Sequence, residues 1–140
     1  MASWFSVRHY LLEKIAISGE WEYLSPPIEQ HFQKEDYERL NKITAYILEN
    51  YAQPISLEEI AKEDYLSPSA FCRFFKKRTR KSFVEYLNEF RIGMACKMLT
   101  ENKNPISDIC FKTGFNNLAN FNRQFKRVMG VTPTGYRKFI

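Results

Sequence analysis

The feature that most limits how this chain can fold is a seven-residue pattern that occurs twice, 50 residues apart. Residues 71–77 and residues 121–127 both have the form Phe-x-Arg-x-Phe followed by two basic residues. At about 100° per residue, the two Phe of each copy lie on one side of a helix, and the Arg and the next basic residue lie on another. Each copy therefore predicts a helix with a buried aromatic side and an exposed basic side.

Start and stop signals flank both copies. Ser67 is followed by a proline, which is the usual order of an N-cap and a first helical residue. Before the second copy, Asn116 or Asn117 can accept a hydrogen bond from a free N–H of the first turn. After it, Gly130 can end the helix in the left-handed conformation. The second basic helix is therefore predicted to run from about residue 118 to residue 129.

A short helix is predicted just before each basic helix. Ser56 and Glu59 form an S-x-x-E capping box that opens the first of these short helices. Pro105 opens the other, and Gly114 ends it. Two helices joined by a tight turn, the second of them basic on its exposed side, have the arrangement of a helix-turn-helix. The sequence therefore predicts two such units.

A longer helix is predicted between the first unit, residues 56–79, and the second unit, residues 105–129. A second S-x-x-E box begins at Ser82 and opens a helix that ends before Asn102, with a length of about 27 Å. Its predicted buried side consists of Phe83, Leu87, Phe90, Met94, Ala95 and Met98. A rigid helix would hold the two units a fixed distance apart. If that distance is about 34 Å, they meet successive major-groove segments on one face of B-DNA.

The chain ends complete the predicted fold. A helix is predicted over residues 36–50, and a short last helix follows Thr132. Residues 3–17 have apolar residues at helical spacing, and residues 20–34 are interpreted as a linker because they contain two adjacent prolines. The prediction is an all-α fold of about seven helices, two helix-turn-helix subdomains joined by a long helix, with an extra N-terminal helix and linker. It separates residues 1–35 from a domain at residues 36–140.

Basic residues are concentrated in the second half of the chain. The net charge of the 140 residues is +5, but from residue 71 onward 15 Lys and Arg stand against 4 Asp and Glu, a difference of +11. Such a one-sided charge favours a polyanionic partner, either nucleic acid or an acidic membrane surface. A domain that is merely basic, without such a partner, is the alternative. The 44% hydrophobic content excludes a disordered chain.

Three cysteines without a C-x-x-C spacing, Cys72, Cys96 and Cys110, indicate neither a disulfide framework nor a zinc site. The first residues lack the pattern of a secretory signal, and no apolar run approaches the ~20 residues that span a bilayer. We therefore expect a cytoplasmic protein that has no membrane partner, metal, cofactor or catalytic residue.

The motifs of the second unit closely resemble the signature of the AraC/XylS family of bacterial transcription regulators. They are Gly114-Phe115, Phe121-x-Arg123-x-Phe125-Lys126, Gly130-x-Thr132-Pro133 and Tyr136-Arg137. Upstream, the match continues through Ser67, Phe71, Arg73, Phe75-Lys76 and Tyr86, so that it covers about residues 37–140. The resemblance implies a seven-helix domain in which two helix-turn-helix subdomains are joined by a long helix.

The resemblance also implies which residues contact DNA. The base-reading positions are Ser69, Ala70, Cys72 and Arg73 in the first unit and Leu118, Ala119, Asn122 and Arg123 in the second, with Asn120 adjacent. Arginine pairs with guanine and asparagine with adenine, whereas the short or apolar members suit thymine methyl groups. The expected phosphate contacts are Lys76, Lys77, Arg80, Lys126 and Arg127. For Arg73 the alternative is an internal ion pair or a phosphate contact.

Arg80 departs from the family pattern, which usually has Gly at this helix end. We expect either a left-handed residue, at a cost of roughly 1 kcal/mol, or a different helix end.

The resulting functional prediction is a sequence-specific, double-stranded DNA-binding transcription regulator, more often an activator in this family. One alternative is a protein-interaction adaptor in which DNA binding is secondary. Another is a DNA-repair methyl acceptor that uses a cysteine. Besides promoter DNA, the resemblance implies RNA polymerase as a partner and a homodimer through an N-terminal region. It implies a small-molecule effector if a sensor domain precedes the chain. Residues 1–35 resemble the closing helix and linker after a sugar-sensing domain, so we expect a piece of a longer regulator.

Overall fold

The computed structural model describes residues 27–101 and 103–140, which form seven α-helices and no strand. The helices are α1 Pro27–Asn50, α2 Leu57–Glu63, α3 Pro68–Thr79, α4 Phe83–Glu101, α5 Ile106–Lys112, α6 Leu118–Met129 and α7 Pro133–Lys138. The first unit contains α2 and α3, the second contains α5 and α6, and α4 joins them. This confirms the prediction of an all-α fold with two helix-turn-helix subdomains and a long connecting helix.

Helix α1 corrects the predicted linker. It begins at Pro27 rather than at residue 36, so residues 27–34 are helical. Pro27 is compatible with this start because the first residue of a helix has no intrahelical acceptor for an N–H. The helix passes through residues 35 and 36, and the division of the chain there stays a prediction. The predicted helix at residues 3–17 lies outside the described residues.

Side-chain oxygens cap the helix starts as the sequence predicts. In five helices, an oxygen before the first turn accepts a hydrogen bond from the backbone N–H three residues later, at 2.9–3.2 Å. The capping residues are Ser56, Ser67, Ser82, Asn117 and Thr132. Each cap satisfies a donor that the helix itself leaves free, so these boundaries follow from local chemistry.

Two hydrophobic cores share α4. The first core lies under α3 and includes Phe71, Phe75 and the residues of α4 up to Phe90. The second core lies under α6 and includes Phe121 and Phe125, together with the later residues of α4. The first half of α4 is thus covered by the first subdomain and the second half by the second subdomain. The predicted single buried side was too narrow: Tyr86, Glu89, Ile92, Cys96 and Leu99 are also buried, whereas Met94 and Met98 are only partly buried.

The repeat extends into the aromatic packing. In the first core the Phe71 and Phe75 rings lie 5.8 Å apart, and Phe75 contacts Tyr86 at 5.3 Å. In the second core Phe121 and Phe125 also lie 5.8 Å apart, and Phe125 contacts Tyr136 at 5.7 Å. Each basic helix is therefore seated by the same three aromatic positions, 50 residues apart.

Left-handed residues end corresponding helices of the two units, but their identities differ. Arg80 ends α3 with φ +60°, and Gly130 ends α6 with φ +79°. Of the two outcomes expected at Arg80, a left-handed residue or a different helix end, the structure has the left-handed residue. In the turn inside each unit, Tyr65 has φ +56° and Gly114 has φ +97°. The first unit therefore carries two side chains where a left-handed backbone favours glycine.

Candidate nucleic-acid interface

Helix α6 presents a polar face to solvent. Phe121 and Phe125 are fully buried beneath it, so the opposite side of the helix must face outward. Asn122, Arg123 and Lys126 are exposed on that side. Leu118, at the start of the helix, is 39% exposed, and Ala119 is also exposed. All four base-reading positions predicted in the second unit are therefore accessible.

Helix α3 presents a similar face with less of it accessible. Ser69, Arg73 and Lys76 are exposed, whereas Ala70 and Cys72 are half-buried. The burial of Phe71 and Phe75 explains this orientation, as their counterparts do in α6. The structure thus brings the predicted residues of each unit onto one helix face, with Ala70 and Cys72 at its edge.

Arg123 and Arg73 differ in their neighbours. The Arg123 Nη2 atom donates a hydrogen bond to Asn120 Oδ1 at 2.8 Å, one turn earlier on the same helix. Arg73 has no hydrogen bond or ion pair to the residues that the structure describes, so the alternative of an internal partner for Arg73 gains no support from them. The residue corresponding to Asn120 in α3 is Ala70, which has no side-chain acceptor.

The residues predicted to contact phosphate fall into two groups. Lys76, Lys77, Arg80 and Lys126 are exposed, and their side chains can reach an approaching phosphate. Arg127 is already engaged: its Nε donates to Gln124 Oε1 at 2.9 Å, and its Nη1 lies 3.8 Å from Glu89 Oε1. Its side chain is still 47% exposed. Arg127 can therefore reach a phosphate while it keeps its contact with Glu89.

Several basic residues are paired with acceptors that lie outside their own helix or turn, some of them about 40 residues away. Arg78 forms an ion pair with Asp36, and the Lys81 ammonium lies 2.8 Å from both carboxylate oxygens of Glu89. Arg91 donates to two backbone carbonyls between α1 and α2. Counting charges along the sequence could not separate these residues from the basic residues of the exposed faces of α3 and α6, because local spacing does not indicate which acceptors the fold brings near them.

The thiols lie mostly in the core. Cys96 and Cys110 are buried, and burial raises the pKa of the Cys96 thiol to about 12 and raises the pKa of Cys110 as well. Cys72 is half-buried at the edge of the α3 face. Within the described ranges, no group of three or more His, Cys, Asp or Glu is placed to hold a metal ion. Of the helices in those ranges, none has both the length and the apolar character of a membrane span.

The sequence of the region that carries these two faces matches a known domain. A family model described as a helix-turn-helix domain matches residues 60–138, a range that includes both basic helices and the helix between them. The chain belongs to the AraC-type helix-turn-helix family.

Known HTH-type transcription regulators are similar to this chain over most of its length. The uncharacterized HTH-type transcriptional regulator YobQ of Bacillus subtilis is 28% identical over 139 residues, 98% of this chain and 56% of YobQ. The HTH-type transcriptional activator RhaS of Klebsiella pneumoniae is 31% identical over 100 residues, 71% of this chain and 36% of RhaS. The chain thus spans little more than half the length of YobQ and about a third of RhaS.

A solved AraC-type structure has the same fold. It is a transcriptional regulator from Chromobacterium violaceum described as containing an AraC-type DNA-binding domain, and it has a TM-score of 0.69 at 22% identity. The likeness covers 75% of this chain and 94% of that one. It confirms the arrangement of the helices. The contacts assigned above to individual side chains stay predictions.

Proposed function

We propose that this chain binds double-stranded DNA sequence-specifically and regulates transcription, with α3 and α6 in two adjacent segments of the major groove. The observation that carries the proposal is the duplication of one exposed face. Arg73 and Arg123 lie at equivalent positions of two helices, and each helix is held in place by its own pair of buried phenylalanines at equivalent positions. The second helix of a helix-turn-helix is the one that enters the major groove. Residues 36–140 form the DNA-binding domain in this proposal.

Base readout is assigned to the exposed face of each helix. Arg73 and Arg123 can each donate two hydrogen bonds to O6 and N7 of a guanine, and Asn122 can pair with an adenine. Apolar and short residues contribute contacts with thymine methyl groups or none at all. The full set is Ser69, Ala70, Cys72, Arg73, Leu118, Ala119, Asn122 and Arg123. Only three of the eight, Arg73, Asn122 and Arg123, can make two hydrogen bonds to one base, so we expect few strongly specified base pairs.

The flanking cations are assigned the role of fixing the position of the protein along the duplex. Lys76, Lys77, Arg80 and Lys126 extend from the ends of α3 and α6, where they can contact the sugar–phosphate backbone. Arg127 joins them while keeping its contact with Glu89. Such contacts orient a protein on the duplex without reading its sequence.

We propose that the protein activates transcription rather than represses it. RhaS, to which the chain is similar, is a transcriptional activator. In this role RNA polymerase is the expected protein partner. The competing proposal is an adaptor that binds a protein partner and for which DNA is secondary.

Selection of bound duplexes from a random pool tests the proposal. We expect enriched duplexes with two short conserved boxes about one helical turn apart, because the two basic helices meet successive major-groove segments. Their affinity should exceed that of random duplex by about 10³-fold or more. A chain that binds no duplex at low salt, or binds all duplexes equally, contradicts sequence-specific DNA binding and favours the adaptor.

A further inference from the structure

Arg91 lies in the middle of α4 and reaches the segment between α1 and α2. Its Nε donates a hydrogen bond to the Tyr51 carbonyl oxygen at 2.8 Å, and its Nη2 donates to the Gln53 carbonyl oxygen at 3.0 Å. Tyr51 is partly buried and packs against the first core, and its ring lies 5.6 Å from that of Phe90. Arg91 therefore ties the backbone in front of the first unit to the connecting helix.

The same guanidinium also contacts the second unit. The Arg91 Cζ atom lies 5.9 Å from the centre of the Phe115 ring, in the turn between α5 and α6. Gly114, the preceding residue, leaves room for this approach: a Cβ there would overlap the Tyr51 carbonyl oxygen and would lie 2.7 Å from Arg91 Nε. The turn of the second unit and the backbone before the first unit thus meet around one side chain.

A second bridge lies on another side of α4. Glu89 contacts Lys81, which follows the first unit, at 2.8 Å and Arg127 of α6 at 3.8 Å. Two residues that are two positions apart are rotated by about 200° around the helix axis, so their side chains point to nearly opposite sides. Glu89 and Arg91 therefore connect the second unit to the segments that flank the first unit, from nearly opposite sides of the helix that joins the units.

We propose that Arg91 is a positioning residue that fixes the second unit against the first, so that tight binding requires one spacing of the two DNA half-sites. Each base pair inserted between half-sites rotates one of them by about 34° around the duplex axis. Two units that are held rigidly cannot follow that rotation, whereas two units that keep their cores on α4 but lack the Arg91 contacts can adapt in part. Arg91 contacts no DNA in this scheme, which rests on the proposed DNA-binding function.

The first test measures the orientation of the units without DNA. Spin labels are attached in a Cys72→Ser background through Glu58→Cys on α2 and Asp108→Cys on α5, both of which are exposed positions. Cys96 and Cys110 are buried and do not compete for the label. Pulsed electron–electron distance measurements should give one narrow distribution with Arg91 and a broadened one with Arg91→Ala. Lys97→Ala, at an exposed position of the same helix, is the matched control.

The second test measures dependence on spacing. A selected duplex is compared with versions in which one base pair is inserted or removed between the half-sites, and with a single half-site. The protein with Arg91 should lose at least about tenfold in affinity when the spacing changes, because simultaneous contact is lost. Arg91→Ala should bind the selected duplex less tightly, keep its single half-site affinity, and show little further loss with changed spacing. Arg91→Lys, which retains the charge and part of the hydrogen bonding, should fall between the two.

Distinct results would overturn the inference. A narrow distance distribution in Arg91→Ala together with an undiminished spacing penalty means that Arg91 does not position the units. A loss of affinity that is equal on every duplex, the single half-site included, indicates a general folding role and also overturns it. If the protein with Arg91 shows no sequence-specific binding, the proposed function fails instead, and the distance measurement alone decides whether Arg91 orients the units.

Discussion

Equivalent residues of the two units have different surroundings, and the arginines are the clearest case. Arg123 is held by Asn120 at 2.8 Å, whereas Arg73 has Ala70 at the corresponding position. A side chain that is already held in one rotamer loses less conformational entropy when it binds. We therefore expect the second unit to contribute the stronger base readout.

Arg123→Ala should weaken binding to the selected duplex by ~1 to 3 kcal/mol and relax the preference at one base pair. The matched variant is Lys126→Ala, on the same exposed face, which should weaken specific and random duplexes similarly because the contact proposed for Lys126 is with phosphate. Fluorescence anisotropy with both duplexes measures the difference. An equal loss on specific and random DNA for Arg123→Ala contradicts its base-reading role.

Arg80→Gly should raise the free energy of unfolding by about 1 kcal/mol, because glycine adopts φ +60° without the steric cost of a Cβ. The reverse change, Gly130→Ala, should lower it by a similar amount. A Cβ at Gly130 meets no atom within 4 Å, so that only the backbone conformation is affected. Urea denaturation of both variants checks the signs. A destabilised Arg80→Gly variant would mean that the Arg80 side chain contributes more than its backbone costs.

At the scale of elements, α3 and α6 are docked by local aromatic packing, and α4 is buried on almost every side by the two cores. The half-buried thiol of Cys72 offers a direct probe of α3, since the other two thiols lie in the second core. Thiolates are the reactive species, and burial raises the pKa of Cys96 to about 12. At pH 8, therefore, Cys96 stays protonated and unreactive.

Thiol labelling of the native protein at pH 8 should modify Cys72 first and leave Cys96 and Cys110 unmodified, and denaturant should expose all three. Bound selected duplex should slow the labelling of Cys72, because α3 then lies in the major groove. Mass spectrometry after timed labelling gives the rate at each thiol, and a Cys72→Ser variant shows the background. Unchanged labelling of Cys72 in the complex would place α3 away from the DNA.

For the whole molecule, the exposed cations determine how binding depends on salt. Lys76, Lys77, Arg80 and Lys126 are free for phosphate, and Arg127 is shared with Glu89. Four to five phosphate contacts predict a slope of log affinity against log salt of about −4. Other cations counted in the sequence total are held in internal contacts, so the net charge overstates the charge that faces DNA.

Lys77→Ala should reduce the magnitude of this slope by about 1, because one fewer counterion is released on binding. The slope is measured by titration at several salt concentrations, with Lys97→Ala as the control. An unchanged slope for Lys77→Ala means that its ammonium does not contact phosphate. A slope near zero in the unmodified protein would contradict electrostatic binding altogether.

Much of the fold was predictable because its signals are local. The predicted bounds of α6 agree with Leu118–Met129, and the caps at Ser56, Ser67 and Ser82 form with partners three residues away. The start of α1 was missed because adjacent prolines were interpreted as a break, although Pro27 is an acceptable first residue of a helix. The second left-handed residue of the first unit, Tyr65, was missed because tyrosine, unlike glycine or asparagine, is not a residue type that favours a positive φ.

The sequence by itself determined the helices, their buried aromatic sides and the exposed faces that carry Arg73 and Arg123, because each follows from residues within one or two helical turns. The tertiary structure alone decided which cations remain free. Arg91 finds the Tyr51 carbonyl 40 residues away, and Arg78 finds Asp36. Such pairs form only where separate helices pack together, and no local spacing encodes where they will meet.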